Sequence, residues 1–156
     1  MADRGPVDAI ASAMKETLEA SGFTSRGRTW HLECEDAIVL VNLQKSGFGR
    51  QFYINLGIFL KELATPKSLK EQFCHVRLRA NDVISRGKKS LETALDTEAS
   101  QMEPAERVKV IASALTGKVV PLLLECGTRP GLKKAYDSGV LDEAFIHGLA
   151  RSLLAG

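Results

Sequence analysis

Seven side chains carry the polar chemistry best placed to meet a ligand: Asn42, Gln44, Tyr53, Asn55, His75, Arg77 and Arg79. Within each local group they recur at every second position, which puts its members on one face of an extended strand. Arginine offers a planar fork to carboxylate or phosphate, amides orient polar ligands, and histidine accepts a proton near neutral pH. Gathered on one surface, they would bind a small anion. The same residues also suit the solvated outer face of a one-sided antiparallel sheet, where amides paired across strands satisfy a half-covered surface; this plainer reading is preferred.

The elements that must position them start with residues 27–60, GRTWHLECEDAIVLVNLQKSGFGRQFYINLGIFL, which read as three consecutive antiparallel strands. The first two, 28–33 and 37–45, meet at an acidic turn of Cys34, Glu35 and Asp36. Pairing Glu33 with Asp36 sets Trp30 opposite Val39 and His31 opposite Ile38. The second hairpin turns at Gly47, Phe48, Gly49 and Arg50 and pairs Ser46 with Gln51, hence Gln44 with Tyr53, Asn42 with Asn55 and Leu40 with Gly57. Alternation then assigns both faces. Trp30, Leu32, Ala37, Val39, Val41, Leu43, Phe52, Ile54, Leu56 and Ile58 form a wholly apolar core face. Thr29, His31, Ile38, Leu40, Asn42, Gln44, Tyr53, Asn55, Gly57 and Phe59 form a mixed face, apolar toward one end and amide-rich toward the other. Residues 73–79 predict a fourth strand, with Cys74, Val76 and Leu78 on the core face and Phe73, His75, Arg77 and Arg79 opposite.

Helices must cover the core face. Val7, Ile10, Met14 and Leu18 form one stripe of a first helix, with Pro6 in its first turn and Gly22 just past its end. Residues 61–72 are polar, and Thr65 with Pro66 suits either a helix start or a loop; residues 81–101 carry Leu91, Ala94 and Leu95, which predict a short helix. Pro104 opens the longest helix, striped by Val108, Ile111, Ala112, Leu115, Val119, Leu122, Leu123 and Cys126. Pro121 lies inside it and crowds the carbonyl of Gly117, so a kink or break is predicted between 117 and 121. Gly127 ends that helix, Thr128 caps the next, Gly139 ends it, and a last helix near 142–154 is predicted to bury Phe145, Leu149 and Leu153. The fold class is α+β: an antiparallel sheet of about four strands covered on one face by an N-terminal helix and C-terminal helices. One domain, 1–156, is expected, with helix and sheet over 7–80 and a helical part over 87–154. At 156 residues and 44% hydrophobic content, the chain can bury one core without disulfides or metals.

Other chemistries are argued down by spacing. Cys34, Cys74 and Cys126 are odd in number and widely separated, which fits free thiols and neither a disulfide framework nor a zinc knuckle. His31, His75 and His147 have no metal-ligand spacing, so no metal is expected. Gly47 to Arg50 sits between strands where a phosphate-cradling loop needs a following helix, and Gly87, Lys88, Lys89 and Ser90 lack the earlier glycine of a P-loop, with Asp82 in its place. Glu33, Glu35 and Asp36 fit a solvated turn that encloses no substrate. With 21 basic and 19 acidic residues the net charge is +2, too small for a general attraction to polyanions. Basic residues gather in the first two thirds, but few aromatics are placed to stack bases, so nucleic acid ranks third among partners. Asp8, Lys15 and Glu16 interrupt the N-terminal apolar residues and no apolar run approaches spanning length, so a soluble cytoplasmic protein without membrane contact is expected.

The run GFTSRGRTWHLECEDAIVLVNLQKSGFGRQFYINLGIFL, with the later CHVRLR, resembles the bacterial domain-of-unknown-function 4304 family. The matching pieces are the helix ending at Gly22 and Phe23, the strand RTWH, the segments VNLQKS and YINLGI, and the Cys-His-Arg strand, together spanning 22–79. The resemblance implies this fold and a bacterial origin, and it carries over no catalytic residue. Where the family is expected to place tryptophans after the His-Arg strand, this chain has ISRGKKSLETAL, which implies local remodelling. The leading expectation is a non-catalytic binding or protein-interaction domain with no cofactor, its partner another protein. The alternative is a small-anion-binding enzyme or sensor using Asn42, Gln44, Tyr53, Asn55, His75, Arg77 and Arg79.

Overall fold

The computed structural model describes residues 5–47, 49–65, 70–84, 86–98 and 102–155. Six strands lie side by side in sequence order, each antiparallel to its neighbours: β1 (Thr24–Arg26), β2 (Thr29–Glu33), β3 (Ala37–Lys45), β4 (Phe52–Leu60), β5 (Val76–Arg79) and β6 (Phe145–Ile146). The helices are α1 (Pro6–Ala20), α2 (Lys88–Ala94), α3 (Pro104–Ala114), α4 (Val120–Glu125), α5 (Arg129–Asp137) and α6 (Gly148–Ala155). None of these helices is long and apolar enough by itself to cross a membrane. The class is α+β, as the hydrophobic periodicity predicts, with two more strands.

The core face is the expected one. Trp30, Val39, Val41, Leu43, Phe52, Ile54, Leu56 and Ile58 are all buried in one cluster with Ile10, Met14 and Leu18 of α1 and with Ile111, Leu115 and Leu123 of the later helices. The end of α1 shows how sequence sets that docking. Gly22 takes φ +96°, its N–H bonds the Glu19 carbonyl, and the Phe23 N–H reaches back to Leu18, so the chain reverses directly into β1. Val7 departs from the predicted stripe and is 39% exposed in the first turn, while Ala9 and Ala13 are buried instead.

The β3–β4 hairpin has the predicted register, with Gln44 opposite Tyr53, Asn42 opposite Asn55 and Leu40 opposite Gly57. The β2–β3 register differs by two residues. Trp30 faces Val41, His31 faces Leu40, and the ladder closes with the Cys34 N–H on the Ala37 carbonyl at 2.8 Å. Asp36 explains the shift. Its N–H donates to the Gly127 carbonyl, its carbonyl accepts from the Lys61 N–H, and its carboxylate accepts from the Arg129 N–H at 2.7 Å, so Asp36 is tied to its surroundings and does not pair with Glu33. A shift of two preserves the faces, which is why the core is as expected although the pairing is not.

The long helix runs without interruption from Pro104 to Glu125, and in place of the predicted kink or break between 117 and 121 it widens into a π-helical turn at Leu115–Val119, one residue before Pro121. The wider turn accommodates the missing proline N–H without a sharp bend into solvent, and Leu115 and Val119 stay buried. Arg107 is a surprise on α3: it is only 2% exposed, and its guanidinium donates to the carbonyls of Thr93, Ala94 and Asp96 at the end of α2. It thereby serves as a C-terminal cap for that helix.

Three further expectations are corrected. Cys74 lies on the mixed face, not the core face, because a 3-10 turn at Glu71–Phe73 replaces the start of the strand; its side chain sits against Leu40 in the space that Gly57 leaves. The C-terminal third is not helical throughout, since β6 returns to pair with β5. Phe145 and Leu149 are therefore 51% and 57% exposed, and Ala150 and Leu154 take the buried positions of α6. The question of helix start or loop at Thr65 and Pro66 falls partly on residues 66–69, outside the described residues.

Candidate functional site

The mixed face divides in two. At one end Ile38, Leu40, Phe59 and Cys74 form a second small core, with the chain around Glu71–Phe73 laid over it. At the other end the face opens into a shallow hollow of about 410 Å³, lined among others by Gln44, Asn55, Glu71, Arg77, Arg79, Asp82, Glu143 and Phe145.

Antiparallel pairing builds this hollow residue by residue. Asn55 faces Asn42 on one side and Arg79 on the other, and Gly57 faces Arg77. Asn55 is nearly buried, and its Nδ2 donates to both Gln44 Oε1 at 2.8 Å and Asn42 Oδ1 at 3.2 Å. Asn42 Nδ2 in turn donates to Thr29 Oγ1 at 3.0 Å. The amides thus form a relay across three strands, which fixes their orientation. Arg79 lies over the Tyr53 ring, 3.9 Å from its centroid, and Arg77 lies over Phe145 at 4.4 Å. Each guanidinium is held by an aromatic face and left without an ion-pair partner among the described residues. Arg77 Nε is buried and has no acceptor among the described residues.

Three carboxylates, Glu71, Asp82 and Glu143, also line the hollow. Burial pushes the Glu71 carboxyl up, and Arg77 and Arg79 oppose that shift. One oxygen of Asp82 accepts from the Arg79 backbone N–H at 3.2 Å. The hollow therefore offers both signs of charge. A simple anion meets two cations there, but also three like charges.

Of the seven side chains singled out in the sequence, Gln44, Asn55, Arg77 and Arg79 line the hollow. Asn42 stands behind Asn55, and Tyr53 supports Arg79 while facing a separate small recess with Gln51, Asn81 and Glu92. His75 does not join them. Its Nδ1 accepts the Leu60 N–H at 3.0 Å, its carbonyl accepts the His147 N–H at 2.7 Å, and its ring packs against Phe59 and His147. Burial, reinforced by His147, holds the imidazole pKa below its usual value. The thiols are equally quiet: burial pushes Cys74 and Cys126 up to about 12. Among the described residues no group of three or more His, Cys, Asp or Glu side chains is arranged to hold a metal.

Sequence reasoning missed Glu71, Asp82, Glu143 and Phe145. The two-residue strand that brings Phe145 over Arg77 is too short to show alternation, so no local signal marks it.

Comparison with known families matches residues 14–123 to the model described as Domain of unknown function (DUF4304). The chain belongs to the DUF4304 family. The matched span of this DUF4304 domain runs from within α1 to within α4. It includes the amide relay, both arginines and the stretch after β5, while Glu143 and Phe145 lie beyond it. No curated protein and no solved structure matches the chain.

Proposed function

We propose that this DUF4304 chain is a non-catalytic binding domain that engages a partner protein through the open end of its mixed sheet face. The observation that carries this reading is the charge of the hollow: two guanidiniums clamped on aromatic rings, in no direct ion pair among the described residues, share it with three carboxylates. A protein surface supplies both an acidic and a basic side chain to such a site, whereas a small anion would be repelled by the rim. An incoming carboxylate would also give Arg77 Nε the acceptor it lacks. The reactive side chains support a non-catalytic role, since the imidazole of His75 is tied to the backbone and the thiols of Cys74 and Cys126 are protonated.

Co-purification from the native host tests the proposal. The wild type is expected to retain a defined partner that Arg77→Glu with Arg79→Glu releases, while Lys133→Glu, on α5 and outside the lining of the hollow, keeps it. The small-anion alternative has one observation in its favour, a volume suited to a metabolite. Specific thermal stabilisation by a carboxylate or phosphate metabolite, abolished in Arg77→Ala, with no partner retained, would overturn the interaction reading.

A further inference from the structure

A second hollow, independent of the sheet face, lies between α2, α3 and the π-helical turn. It measures about 500 Å³ and is more enclosed than the hollow over β4 and β5. Its lining is mostly apolar: Ile84 and Leu91 form a buried floor, and Val110 and Ala114 form one wall. Its rim is basic. Arg86, Lys109 and Lys118 stand around it against a single carboxylate, Glu106, and none of the three cations has an ion-pair partner among the described residues. Ser90 and Ser113 add hydroxyls at the mouth.

The π turn shapes this space. Gly117 lies in the widened turn and lines the hollow, and a Cβ built on it would meet nothing within 4 Å. The backbone is therefore bare at the point where a ligand would touch it. An apolar floor without a cationic rim would suit a neutral hydrophobe, and a cationic rim without the floor would suit a phosphate. Both together fit a molecule with an aliphatic body and one anionic end, which buries its chain and keeps its charge at the mouth among the three cations.

We propose that this hollow binds a single-chain amphipathic anion, an alkyl carboxylate or alkyl phosphate, with the chain over Leu91 and Ala114 and the head between Arg86, Lys109 and Lys118. Calorimetric titration of the full chain with decanoate, kept below its micelle concentration, tests it. Saturable one-to-one binding is expected, with decyl phosphate equivalent and decanol weaker by about tenfold. Gly117→Leu enters the hollow from a position where an added Cβ meets nothing within 4 Å, and it should weaken decanoate by at least about tenfold without lowering Tm, because glycine is a poor helix former. Lys109→Glu, an exposed change, should weaken it by about tenfold, and Arg77→Ala on the sheet face should leave it within about twofold.

Absence of saturable binding, equal binding of decanol, or undiminished binding in Gly117→Leu would overturn the proposal. Sedimentation with phosphatidylcholine vesicles that carry an anionic single-chain lysophospholipid separates the two sources of such a chain. Binding to these vesicles lost in Gly117→Leu assigns the chain to a membrane lipid, and decanoate binding without vesicle binding assigns it to a free amphiphile.

Discussion

The two ends of the mixed sheet face are made by the same strands, in the same register, and differ in what lies over them. At one end Leu40 and Phe59 are covered by the chain leading into β5 and behave as core. At the other, Gln44 and Arg79 remain in solvent, and only Asn55 is nearly buried, within its amide relay. The contrast shows that a sheet face is not one environment. Strand parity fixes which side chains share a face, and a short irregular segment decides which of them become interior.

The ranking of truncations tests that division most severely. Leu56→Ala, in the main core, should cost about 4 kcal/mol in denaturant unfolding, whereas Leu40→Ala, in a cluster of four that can relax toward solvent, should cost about 2 kcal/mol. Equal losses would mean that the covered end is as tightly packed as the main core.

Gly57→Ala probes the cover itself. Its Cβ would lie 2.6 Å from Cys74 Sγ and 3.1 Å from a Leu40 methyl, so the cover must shift. A loss of about 1–3 kcal/mol is expected. Combining it with Cys74→Ala should recover part of that loss, a coupling that a double-mutant cycle measures directly. Additive losses would show that Cys74 is not the obstacle.

His75 sits at the boundary between the two ends, and acid should affect it first. Its folded pKa lies below the ordinary 6.5, so the unfolded chain binds the proton more readily. The contribution of the neutral ring is complete above about pH 6.5 and is lost as pH falls toward the folded value, with a slope of at most about 1.4 kcal/mol per pH unit for one proton. His75→Asn, which retains an acceptor for the Leu60 N–H, should flatten that slope in urea unfolding between neutral pH and pH 5. An unchanged slope would place the acid sensitivity elsewhere. The smallest effect is expected at the open end: Asn55→Ala should cost about 1 kcal/mol by thermal denaturation, because solvent can replace the partners of Asn42 and Gln44.

How much of this was legible in the sequence depends on element length. β3 and β4, nine residues each, alternate long enough to fix faces and pairing. β1, three residues long and all exposed, and β6, only two residues long, carry no such pattern, so the sheet reads as about four strands and Phe145 reads as part of a helix. The turn before β3 was misplaced because its register is set by Asp36 reaching Gly127 and Arg129, contacts that no local spacing reveals. Arg107 was missed for a related reason: a charge on a helix reads as surface until the carbonyls it caps are in place. In the site, the arginines and amides could be read from strand parity, while the carboxylates come from a turn, a loop and a distant segment.

That distant segment has a kinetic consequence. Helices α2 to α5 lie in the chain between β5 and β6, so the contact of Phe145 with Arg77 closes a long loop. Contacts of such sequence separation are expected to form late. The complete hollow would then be a property of the finished fold alone: a chain that had assembled only the first five strands would hold both arginines yet lack Glu143 and Phe145 beside them.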